Sequence, residues 1–135
     1  MDNFSNSVLN DIVYRFPEFK NKHNQTTNFF ELDIASENNS NFGGLVIQTT
    51  TDKDIWIRNY QKCSAYSVDT TSELIKIIEG IFSDDILWVI GFKDEEWIKT
   101  TIVKNGADIE TENGVTYKVL SWSGKSDRIF KVDDI

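Results

Sequence analysis

Residues 70–92 read Thr70-Thr71-Ser72-Glu73-Leu74-Ile75-Lys76-Ile77-Ile78-Glu79-Gly80-Ile81-Phe82-Ser83-Asp84-Asp85-Ile86-Leu87-Trp88-Val89-Ile90-Gly91-Phe92. The first four residues are a capping box: the Thr70 hydroxyl can accept from the amide at the third helical position, and Glu73 can reach back to the cap. Leu74, Ile77, Ile78 and Ile81 then recur on one face, with Lys76 and Glu79 off it. That spacing predicts a helix to about Ile81. After Ser83-Asp84-Asp85 the period changes. Ile86 to Phe92 carries no polar side chain, which predicts a strand covered on both faces or central in its sheet.

Towards the N-terminus, apolar residues at 8, 9, 12, 13 and 16 make a second helical stripe, with Ser5 or Ser7 as its cap. Pro17 ends it, because the residue before a proline avoids helical backbone. Residues 20–28 are polar and turn-like. Phe29 to Ile34 alternates Phe30, Leu32 and Ile34 inward against Phe29, Glu31 and Asp33 outward. An Asn/Ser loop over 36–41 leads through Gly43-Gly44 to a hairpin of Leu45–Thr50 and Asp54–Tyr60 around Thr51-Asp52-Lys53. In its second strand Ile55 and Ile57 share one face; Trp56, Arg58 and Tyr60 share the other. Residues 64–68 read as a short extended entry to the central helix.

Towards the C-terminus, Lys93-Asp94-Glu95-Glu96 turns the chain and Trp97 to Val103 returns antiparallel. Simple alternation puts Ile98, Thr100 and Ile102 opposite Trp97, Lys99 and Thr101. Asn105-Gly106 and Asn113-Gly114 are turn dipeptides. Strands follow over Val115–Trp122 and Arg128–Val132. Two helices, runs of strands and no βαβ alternation predict a single α+β domain over residues 1–135: a largely antiparallel sheet with an N-terminal helix and a central helix packed on it.

Composition excludes several function classes. The 135 residues include one Cys and one His, too few for an intrachain disulfide or a four-ligand structural zinc site. The 22 Asp and Glu against 14 Lys and Arg give a net charge of −8, shared equally between residues 1–83 and 84–135. That balance opposes nucleic-acid binding, which needs clustered cations. The N-terminal residues lack the basic start and apolar run of an export signal, and no apolar stretch approaches a bilayer span, so a cytoplasmic protein without membrane contact is expected.

Candidate chemistry is sparse. His23 reads as a general base or as a solvated loop histidine. Cys63, beside Lys62, reads as a nucleophile or as a small buried hydrophobe. Ser123-Gly124-Lys125-Ser126 contains the Gly-Lys-Ser of a nucleotide loop, but Val119 stands where that loop needs glycine and no helix follows. The segment reads as a hairpin turn. Acidic clusters, Asp94-Glu95-Glu96 among them, fall at turns and create a negative field. Trp56, Arg58, Tyr60 and Trp97 are residue types enriched at binding centres. They are either core or contact surface, and the N-terminal helix either covers them or leaves them for a partner. An acidic rim around aromatic anchors suits a basic protein.

The capped helix Thr70–Phe82, the Trp88…Gly91-Phe92…Trp97 hairpin and the strand end Val119-Leu120-Ser121-Trp122-Ser123-Gly124 together resemble bacterial toxin-immunity proteins, of the contact-dependent inhibition and polymorphic-toxin kind. The resemblance implies a protein that binds one cognate toxin domain, commonly a basic nuclease, and blocks it. No cofactor, no metal and no catalytic residue would be involved, and Trp56, Arg58, Tyr60, Asp94, Glu95, Glu96 and Trp97 would contact the partner. A phage or mobile-element inhibitor of a basic host protein shares the same physics. A small-ligand-binding domain and an enzyme using Cys63 or His23 are the rivals from other classes.

Overall fold

The chain is described by a computed structural model covering residues 1–25, 28–60 and 65–133. The element order is α1 (Asn3–Arg15), a 3-10 turn at Pro17–Phe19, β1 (His23–Gln25), β2 (Phe30–Ala35), β3 (Gly44–Thr49), β4 (Ile55–Asn59), β5 (Ala65–Val68), α2 (Thr71–Phe82), β6 (Ile86–Lys93), β7 (Glu96–Lys104), β8 (Thr116–Leu120) and β9 (Arg128–Lys131). The strands form two antiparallel sheets rather than one. Sheet A is a five-stranded meander in the order β1-β2-β3-β4-β5, and sheet B has the order β7-β6-β8-β9.

The central helix forms as its sequence dictates. Glu73 N donates to Thr70 Oγ1 at 3.1 Å, and Asp69 N donates to Glu73 Oε2 at 3.3 Å, which closes the capping box one residue upstream of the cap. Leu74, Ile77, Ile78 and Ile81 are all buried. They meet Val8, Leu9 and Ile12 of α1, the inward residues of sheet A (Leu32, Ile47, Ile55, Ile57) and Trp88, Ile90 and Leu120 of sheet B in one continuous core. Both helices therefore lie on the Ile55/Ile57 side of sheet A.

Three sequence expectations change. Helix α1 begins at Asn3, capped by Asp2, whose carboxylate accepts from Ser5 N at 2.7 Å. Ser5, one of the two expected caps, is buried instead, with its hydroxyl 2.7 Å from that of Thr49. Residues 23–25, expected as turn, pair with β2, and 65–68 pair with β4, so five strands precede α2 rather than three. Three- and four-residue strands are too short to display a period.

Strand β6 is covered on both faces, as its composition requires. Trp88 and Ile90 enter the main core, while Leu87 and Val89 join Val115, Tyr117 and Val119 in a second cluster across sheet B. Truncating a buried side chain of α2 removes its transfer energy and leaves a cavity. Leu74→Ala and Ile78→Ala should each lower the unfolding free energy by about 2–5 kcal/mol. Exposed Lys76→Ala should stay within about 0.5 kcal/mol. Urea unfolding of the three variants checks the contrast.

Candidate functional site

Among the described residues, no helix lies on the outer face of sheet A. Register organises it into cross-strand rows. Asp33, Val46 and Arg58 form one row, and Glu31, Gln48 and Trp56 the next. Val46 is only 2% exposed beneath its neighbours, and Trp56 and Arg58 are half-buried. Arg58 enters no ion pair among the described residues; its Nη1 donates to the Asn59 carbonyl at 3.4 Å. α1 lies across the other face, so Trp56, Arg58 and Tyr60 are left uncovered by it.

Tyr60 extends the same surface by one more row. An added Cβ on Gly44 would stand 2.3 Å from Tyr60 Cζ, and one on Gly43 would stand 2.9 Å from Tyr60 Cβ. The ring therefore lies flat over the Gly43-Gly44 backbone, a cross-strand aromatic covering glycine. Its hydroxyl donates to Asp33 Oδ1. Partial burial first, then the Asp33 hydrogen bond and charge, push the Tyr60 phenol up to about 12. Tyr60 is nonetheless 42% exposed, so it fixes the surface and also forms part of it.

The other expected contact residues sit on sheet B. Asp94 and Glu95 both have positive φ (52° and 68°), which makes the β6–β7 connection a two-residue turn of the kind that follows the strand twist, here built without glycine. A register shift comes next: Gly91 pairs with Lys99 but Phe92 pairs with Trp97, so Ile98 is an extra residue. This bulge reverses the alternation beyond it. Trp97 falls on the face of Thr100 and Ile102, and its Nε1 donates to Thr100 Oγ1 at 2.8 Å. Ile98 falls on the Gly91 face, 3.6 Å from where a Gly91 Cβ would be. Trp97 thus does not share a face with Lys99, and Ile98 does not share one with Ile102. Trp97 and Ile98 are each 43% exposed beside Glu96.

The seven expected contact residues therefore form two groups, Trp56, Arg58 and Tyr60 on sheet A and Asp94, Glu95, Glu96 and Trp97 on the sheet B hairpin. They belong to separate sheets, with β5 lying next to β7. His23 lies on edge strand β1, its Nε2 3.0 Å from Gln25 Nε2, and its buried Nδ1 has no partner among the described residues. Cys63 lies outside the described residues. Among those described, no three His, Cys, Asp or Glu side chains are grouped to hold a metal.

Sequence reading missed a polar node. Asn39 Nδ2 donates to the Ser121 carbonyl (2.7 Å) and to Asp127 Oδ2 (2.8 Å), and Asp127 Oδ1 accepts from Ser121 N at 2.7 Å. Asp84, expected in a solvated cluster, accepts from Ser123 N at 3.1 Å and from its hydroxyl. The amides of the Gly-Lys-Ser stretch are spent within the turn: Gly124 N on Ser121 O, Lys125 N on Ser123 Oγ and Ser126 N on Ser121 Oγ. They offer no phosphate cradle, in keeping with the turn reading. Comparison with protein-family models, curated proteins and solved structures finds no match to this chain.

Two measurements test this geometry. A phenol held neutral to higher pH in the folded state contributes stability that is complete below about pH 10 and is lost as pH rises towards 12. Ultraviolet titration of the folded protein should show a late tyrosine step that is absent in Tyr60→Phe. Glu95→Gly, which removes a side chain from left-handed backbone, should raise stability by about 1 kcal/mol. Thermal unfolding checks it, and an unchanged or lower midpoint would contradict the strained turn.

Proposed function

We propose that this chain is an immunity-type inhibitor: it binds a basic toxin domain, of the nuclease kind, and neutralises it by occlusion. The observation that carries the reading is the outer face of sheet A, where Trp56, Arg58 and Tyr60 lie together with no described helix over them while α1 and α2 serve the opposite face. Half-buried Trp56 and partly exposed Tyr60 around an Arg that enters no ion pair among the described residues, on a rigid sheet, give a contact centre that loses little entropy on binding. Glu31 and Asp33 border it, and the net charge of −8 attracts a cationic partner over a distance. The acidic hairpin Asp94-Glu95-Glu96, with Trp97 beside it, is the second contact. Blocking by coverage needs no cofactor and no catalytic group.

The partner to test is the domain encoded by the neighbouring gene. In stopped-flow mixing, complex formation should slow with added salt, and reversing Asp94, Glu95 and Glu96 to Lys together should slow association more than it speeds dissociation. Trp56→Ala should leave the melting temperature nearly unchanged and weaken binding by ~2 kcal/mol or more. Failure of the purified pair to associate would sink the reading, and lost stability with intact affinity would sink the sheet A site.

A further inference from the structure

We propose that the free edge of β9 is a strand-addition site for an extended acidic segment of a partner protein. This does not rest on the immunity reading, which concerns sheet A and the β6–β7 hairpin.

Strand β9 ends sheet B, and no described strand pairs with its outer side. Val132 N donates to Val115 O at 3.0 Å, so the Val132 amide points inward. Ladder alternation then turns the backbone N–H and C=O of Ile129 and Lys131 outward. Ile129 is 68% exposed, the most exposed large aliphatic side chain among the described residues. Beside it is a cleft of about 390 Å³ lined by Asn41, Lys118, Leu120, Asp127, Arg128 and Ile129. An apolar side chain from an added strand can cover Ile129 and reach this cleft.

Charge selects the occupant. Residues 116–131 hold four cations, Lys118, Lys125, Arg128 and Lys131, against one carboxylate, in a chain whose net charge is −8. That carboxylate, Asp127, is engaged by Asn39 and Ser121. Among the described residues none of the four cations forms an ion pair, and Arg128 lies over the Phe130 ring at 5.2 Å, an arrangement that leaves its fork of donors available. A second copy of this chain is a poor occupant. Pairing two β9 edges would bring the same cations, Arg128 and Lys131 of each copy, onto one seam, and like charges crowded together are destabilising. The fitting strand carries carboxylates opposite Arg128 and Lys131 and β-branched residues opposite Ile129 and Phe130.

The capped peptide Thr-Glu-Val-Val-Glu-Thr has that pattern. Titrated into ¹⁵N-labelled protein, it should shift the amides of 128–131, Ile129 and Lys131 most of all. The same peptide with Lys for both Glu should bind at least about tenfold more weakly, as should the Glu peptide with an Arg128→Glu/Lys131→Glu variant. If that variant does not fold, the two peptides on the unaltered protein give the same comparison. Equal binding of the two peptides, shifts centred elsewhere, or no shift at saturating peptide would overturn the proposal.

Discussion

Strand β6 has no side chain to offer water along Ile86–Phe92, and this constraint organises everything C-terminal to the central helix. One face, Trp88 and Ile90, closes the core that α1, α2 and sheet A begin. The other, Leu87 and Val89, needs a cover of its own, and no third helix is present among the described residues. The chain supplies the cover from its connections. Ile109 and Val115, on the β7–β8 link, belong to this second cluster with Phe130 of the last strand and Val132 just beyond it. Glu112 N donates to the Tyr117 hydroxyl at 2.9 Å, which pins that link over the sheet. Gly80 serves the same end on the helix side: a Cβ there would stand 2.4 Å from Ile86 Cδ1, so its absence lets α2 sit close against β6.

Apolar contact fixes distance but not orientation, and the polar node supplies the second. Asn39 from the β2–β3 loop of sheet A, Ser121 and Asp127 from the β8–β9 loop of sheet B, and Asp84 at the end of α2 with Ser123 are joined by short hydrogen bonds. Asn39 and Ser121 are 6% and 0% exposed. Buried polar atoms that lose a partner carry their full desolvation penalty, so this node tolerates one arrangement of the two sheets and opposes sliding between them. Its consequence for function is rigidity: the sheet A face and the sheet B hairpin are held on one body.

Legibility followed the range of the interaction. The α2 box and stripe, the inward set Phe30, Leu32, Ile34, and the pairing of Ile55 with Ile57 are local, and the structure has them as the residues predict. Parity failed at Trp97 because alternation counts residues, and the bulge at Ile98 inserts one; nothing in Glu96–Lys104 announces a bulge before its partner strand is known. The cap of α1 was misplaced because Ser5 had two possible jobs, and the one it has is set by Thr49, 44 residues away. The Asn39–Asp127 pair spans 88 residues and was invisible for the same reason. The expected contact residues Trp56, Arg58 and Tyr60 were grouped correctly since no bulge intervenes in β4, whereas the role of Tyr60 as a cover for Gly43-Gly44 needed the register of β3.

The net charge conceals a division that only the strand order reveals. The hairpin carboxylates belong to β7 and its turn; the cations Lys118, Lys125, Arg128 and Lys131, which form no ion pair among the described residues, belong to β8, β9 and their connection, and in sheet B β7 and β9 are the two opposite edges. Three strand spacings of about 4.8 Å separate those edges by roughly 14 Å. At physiological ionic strength the screening length is about 8 Å, so the cations do not cancel the hairpin's field where a partner would meet it. Ten of the 14 cations and 21 of the 22 carboxylates lie outside residues 116–131, which makes the remaining surface more acidic than −8 implies. One small domain therefore carries an acidic hairpin tip at one edge of a sheet and a cation-rich strand at the other, with two strands between them.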